Sequence, residues 1–163
     1  MQWITRERPK IDRIACPWLI RHFIDADAEF LYVPHADIMR IAAETGAVPY
    51  DIPGVELSHV GDLCSFDAFL EKYALTDPAL AMLANIVRGA DTSRLDLTPQ
   101  SAGLYALSLG LSRNFADDHE MLSHGMVMYD ALYAWCQHGQ AEAHNWPPVL
   151  EPVYDLTARM SAG

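Results

Sequence analysis

Two short stretches of this chain combine the residue types that hold metal ions. Glu56-Leu57-Ser58-His59 places a carboxylate and an imidazole at i and i+3, and the run from Asp117 to His124 (DDHEMLSH) carries three carboxylates and two imidazoles. Imidazole nitrogen with carboxylate oxygen suits a first-row divalent ion such as Mn, Fe or Zn. At 3.6 residues per turn, Asp117, Glu120 and His124 share one narrow helical face, whereas His119 lies well around the helix from His124. The residues from Gly125 to Trp135 are nearly all apolar, which predicts a buried His124 that needs a partner. Asp91, just after Arg88-Gly89-Ala90, is a further ligand or a cap. The expected ligands are therefore Glu56, His59 and His124 on one divalent ion, with His119, Asp91 and Glu120 in reserve. A plainer reading stands beside this one. Pro53-Gly54 and Gly61 bracket the first motif and argue for strand or loop, where Glu56 and His59 would point to opposite faces. The second motif could simply charge a helix N-terminus and place a hydrogen-bonded histidine in the core.

A second chemistry is suggested by Cys16. It precedes Pro17, and if Pro17 is the first residue of a helix then Cys16 is its N-cap, with sulfur facing free N–H groups and the positive end of the helix dipole. That setting, with Arg13 nearby, lowers a thiol pKa and predicts thiolate chemistry or oxyanion binding at a catalytic site lined by Cys16 and Arg13. The alternative is an inert, packed cysteine beneath Trp18. Arg6, Arg8, Lys10 and Arg13 crowd into eight positions of an otherwise acidic chain. Arginines beside a helix start bind oxyanions, so these four are candidate anion ligands, with solvated terminal charge as the bland reading. Cys64 and Cys136 have no comparable setting. No phosphate-binding Gly-rich loop, nucleophile elbow or Ser-His-Asp signature is present.

The elements that must position these groups follow from patterning. Trp3-Ile4-Thr5 and Glu29–Val33 read as strands, with Pro17–Ile24 as a helix between them; strand, helix and strand in this order predict a βαβ-like unit and a small N-terminal sheet. A helix over Asp37–Glu44 stops at Gly46, and Gly54–Val60 is a short strand or loop edge. The second half is helical. Ser65 caps Phe66–Tyr73, and Asp77-Pro78 opens a helix that ends near Gly89. Thr98-Pro99 opens another, ending around Gly110, and a long helix spans about Phe115 to Gln137. From Ala141 the chain carries Pro147, Pro148 and Pro152 and reads as an irregular tail. The fold class is α+β, mostly helical, in a single domain over residues 1–163.

Composition narrows the function. The chain has 163 residues, 51% hydrophobic and 20% charged, enough apolar material for one real core. A formal net charge of −11 opposes phosphate backbones and argues against direct nucleic-acid binding. No apolar run approaches the roughly 18 residues of a membrane span. The charged opening MQWITRERPK is unlike a signal peptide, which makes the cytoplasm the default compartment. Three widely spaced cysteines without a CxxC pair exclude a disulfide framework or a structural zinc knuckle.

Read together, the segments Trp3–Arg6, Asp12–Ile20, Phe30–Pro34, Asp51–His59, Cys64–Asp67, Arg88–Asp91, Asp117–His119, His124–Met126 and Tyr129–Trp135 resemble the chromate-resistance domain of the ChrB type. The resemblance covers about Trp3 to Cys136. It implies a bacterial protein associated with chromate tolerance, and so a small oxyanion such as chromate as partner. The expected function is a metal-binding chromate-resistance domain that handles or senses an oxyanion or redox stress. The alternative is a non-catalytic, regulatory or metal-sensing module of a chromate-resistance operon.

Overall fold

The computed structural model describes residues 1–141; the expected irregular tail beyond Ala141 lies outside the described residues. Strand β1 (Gln2–Arg6) is the centre of a three-stranded parallel sheet of order β2-β1-β3, with β2 at Glu29–Val33 and β3 at Val48–Pro49. Trp3 pairs with both Phe30 and Val48, and Ile4 with both Leu31 and Pro49. Trp3, Ile4 and Thr5 are all fully buried because each face of the sheet is covered, as a parallel sheet requires. Trp3 joins the main core, while Ile4 joins a smaller cluster under helix α2 (Ile38–Thr45) with Ile38, Ala42 and Ile52. Helix α2 stops where Gly46 turns left-handed, at φ 76°.

Helix α1 (Asp12–Leu19) runs on into a π-helical turn over Ile20–Ile24 before β2, which completes the βαβ unit. It begins five residues before the expected start at Pro17, which lies inside it. A proline within a helix leaves the carbonyl four residues back without its donor. Here the Tyr32 hydroxyl donates to the Arg13 carbonyl at 3.3 Å and fills that vacancy. The helix survives because β2 supplies the missing hydrogen bond.

Helices α3 (Ser65–Lys72), α4 (Pro78–Asp91), α5 (Ser101–Asn114) and α6 (Asp118–His138) make up the second half, with Cys64 rather than Ser65 as the N-cap of α3. Asp77 caps α4 by accepting from the Ala79 amide at 2.8 Å, and Asp117 caps α6 by accepting from Glu120 at 2.7 Å. Helix α5 runs four residues past Gly110, and α6 begins three residues after Phe115. Of the two readings of 54–60, short strand or loop edge, the structure has the loop, closed by the Val60–Leu63 bridge. Among the described residues no helix is long and apolar enough to cross a membrane.

The main core lies where α6 crosses α1. Trp18, Leu19, Phe66, Phe69, Leu83 and Tyr129 are buried there. The Tyr129 hydroxyl donates to the Ile11 carbonyl at 2.9 Å, and the Trp18 indole donates to Asp130 at 2.8 Å. Gly125 is required by this crossing, since a Cβ there would sit 2.4 Å from Cγ2 of Ile14. Gly125→Ala should therefore destabilise the fold by about 1–3 kcal/mol, read as a lowered midpoint in urea denaturation. An unchanged midpoint would contradict the observed packing.

Candidate metal centre

In an open parallel sheet, ligands bind outside the carboxyl ends of the strands, where successive connections leave in opposite directions. The order β2-β1-β3 creates such a point between β1 and β3. Four acidic or basic groups meet there from four parts of the chain. Asp12 is the first residue of α1, Asp51 follows β3 by two residues, His59 stands in the 54–63 loop, and Asp91 is the last residue of α4. Nε2 of His59 lies 3.3 Å from Asp12 Oδ2, 3.3 Å from Asp51 Oδ1 and 3.0 Å from Asp91 Oδ2.

The surroundings fix these carboxylates tightly. Asp12 Oδ2 also accepts from the Ser65 amide at 3.1 Å, so it faces the N-terminus of α3. Asp51 Oδ1 accepts from the Ser65 hydroxyl at 2.9 Å, and its Oδ2 meets both Arg6 and Arg13 at 3.1 Å. Asp12 and Asp51 are almost wholly buried, whereas the side chains of His59 and Asp91 are 39% and 14% exposed. The cluster thus opens to solvent on its His59–Asp91 side.

The electrostatics follow from this arrangement. Hydrogen bonds to Asp12, then Asp51 and Asp91, push the His59 imidazole up to about 12 and hold it protonated. Burial, followed by the charge of Asp51, pushes the Asp12 carboxyl up to about 7. Burial acts on Asp51 in the same direction, but the contacts from His59, Arg13, Ser65 and Arg6 outweigh it and hold that carboxyl below its usual range. A single ring N–H therefore faces three carboxylates. Asp12, His59 and Asp91 can each present one ligand atom within 4.8 Å of the other two. The 3.0–3.3 Å separations from Nε2 are those between neighbouring ligands of an ion whose bonds run about 2.0–2.2 Å.

The structure brings together only His59 and Asp91 of the six residues read as ligands. Glu56 is exposed and pairs with Lys72. His124 is exposed and stacks on Phe115 with ring centroids 4.3 Å apart, so the expected burial is corrected: it sits on the solvent side of α6. His119 packs edge-on against Tyr32, and Glu120 is exposed in the first turn of α6. The set Glu56, His59 and His124 is not assembled. Asp12 and Asp51 escaped the motif reading because no short spacing links them to a histidine. Both do stand in segments that carry the family resemblance.

The expected anion patch is also altered. Arg6 and Arg13 are engaged by Asp51. Arg8 is bound to Asp118 and to the carbonyls of Ser112, Phe115 and Ala116. Lys10 is exposed. Cys16 is not an N-cap: with α1 starting at Asp12 it lies within the helix, fully buried, and burial together with the charge of Asp12 raises its thiol well above the ordinary range. Burial and Asp12 likewise push up Cys64. Burial raises Cys136 only to about 11, and it is 5% exposed against 0% for the other two. Alkylation of the native protein, mapped by mass spectrometry, should therefore be slow at neutral pH and reach Cys136 first. Faster modification of Cys16 would restore the thiolate reading.

The family described as ChrB, C-terminal domain, matches residues 3–136. Protein ChrB of Cupriavidus metallidurans is 32% identical over 133 residues, which make up 81% of this chain and 40% of that protein. The chain thus spans well under half the length of this curated relative. No solved structure matches it. With residues 3–136 matched, the chain belongs to the family of ChrB C-terminal domains.

Proposed function

We propose that this chain is a chromate-resistance-type domain that binds one divalent ion through Asp12, His59 and Asp91, the ion taking the place of the His59 Nε2 proton, and handles a small oxyanion at that ion. One observation carries the reading: three carboxylates from separate segments converge on the same imidazole nitrogen, within 3.3 Å. One nitrogen and two carboxylate donors suit Mn, Fe or Zn and offer nothing to an ion that demands thiolate. Three protein ligands leave coordination positions free, and the exposed side of His59 and Asp91 is where an outside ligand would approach. A bound ion would supply Lewis-acid polarisation of an oxyanion at those positions.

A sensing role shares this geometry. The ligands come from the start of α1, the 54–63 loop and the end of α4, so occupancy would fasten three segments together. Consumption of chromate by the metal-loaded protein supplied with an added thiol reductant, above the rate with the reductant alone, favours handling, and binding without turnover favours sensing.

Metal analysis of protein purified without added metal should find one equivalent of a first-row divalent ion. His59→Ala and Asp91→Asn should each lower bound metal by about ten-fold or more, as loss of a ligand must exceed an outer-shell loss. Sulfate or chromate should bind the loaded protein more tightly than the stripped one. Undiminished metal in both variants would reject the centre.

A further inference from the structure

Asp51 touches His59 yet stands outside the three residues whose ligand atoms gather within 4.8 Å. It is 3% exposed and holds a left-handed backbone, φ 51°, that few residues other than Gly, Asn and Asp adopt. Each of its polar atoms is committed. The amide donates to the Leu57 carbonyl at 2.8 Å, which pins the loop carrying His59. The carbonyl accepts from Arg6 at 3.1 Å. Oδ1 meets Ser65 and His59, and Oδ2 takes both Arg6 and Arg13.

Two guanidinium groups beside a cation site are an electrostatic contradiction, because each repels a divalent ion. We infer that Asp51 is a positioning residue that resolves it: an internal counter-ion that shields the Asp12–His59–Asp91 site from Arg6 and Arg13 and holds the His59 loop over it. The inference rests on the metal reading above and adds to it a determinant of affinity that coordinates nothing. Its sign is definite. Loss of the Asp51 charge leaves two cations facing the ion, whereas loss of an arginine leaves a carboxylate in excess.

Titration of the stripped full chain with Mn²⁺, followed by electron paramagnetic resonance, tests this. Asp51→Asn should weaken binding by roughly ten- to hundred-fold with the stoichiometry still one. Adding Arg6→Gln and Arg13→Gln to Asp51→Asn should restore most of the affinity, a rescue that a merely structural role for Asp51 does not provide. Arg13→Gln alone should tighten binding several-fold, and this reading stands even where Asp51→Asn fails to fold. Unchanged affinity in Asp51→Asn, no rescue in the triple variant, or unchanged or weaker binding in Arg13→Gln would overturn the inference while leaving the metal centre intact. A wild-type chain that takes up no Mn²⁺ or other first-row ion would overturn both.

Discussion

The burial of two carboxylates, Asp12 and Asp51, at the carboxyl edge of the sheet is the constraint around which this structure is arranged. A buried ionised carboxylate is costly unless it is paired and fully hydrogen-bonded. Every donor that meets the two comes from a different part of the chain: Arg6 from the end of β1, Arg13 from α1, Ser65 from the start of α3 and His59 from the loop. Removing one partner would leave an uncompensated charge in the interior. The relative placement of β1, β3, α1 and α3 is therefore set as much by ionic satisfaction as by apolar contact.

A second set of ties holds α5 and α6 to this frame. The Arg8 amide donates to Asp118 at 2.9 Å, while its guanidinium serves Asp118 and three carbonyls at the end of α5 and just beyond. A cation at the C-terminal end of a helix also suits the helix dipole. Tyr129 and Asp130 then reach from α6 to Ile11 and Trp18. The β1–α1 connection is thus gripped from both sides, and it carries left-handed backbone at Arg8 and Ile11, with φ of 54° and 46°. Such conformations persist where the surroundings over-determine them.

Much of the fold was legible in the sequence by itself. The strands at Trp3 and Glu29–Val33, the Asp77-Pro78 helix start, the Gly46 stop and the long last helix all rest on local rules: apolar runs, an N-cap with proline behind it, and a glycine free to turn left-handed. The start of α1 was not legible, because Pro17 signals a helix beginning and only Tyr32, from a strand fifteen residues on, supplies the hydrogen bond that lets the helix run through it. The same displacement moved Cys16 from a capping position into the core.

The candidate site divides in the same way. Residue types and short spacings drew attention to His59 and Asp91, and the resemblance of the segments around them to ChrB-type domains is matched by the family found. Spacing also favoured Glu56, His119, Glu120 and His124, whose surroundings turned out to be Lys72, aromatic rings and solvent. Local pattern identifies groups able to bind, but it carries no information on which of them face one another across dozens of residues. Asp12, Asp51, His59 and Asp91 meet only because a parallel sheet sends β1 and β3 to one edge and packs α1, α3 and α4 around it. That convergence is a property of chain topology, and only the tertiary structure decided it.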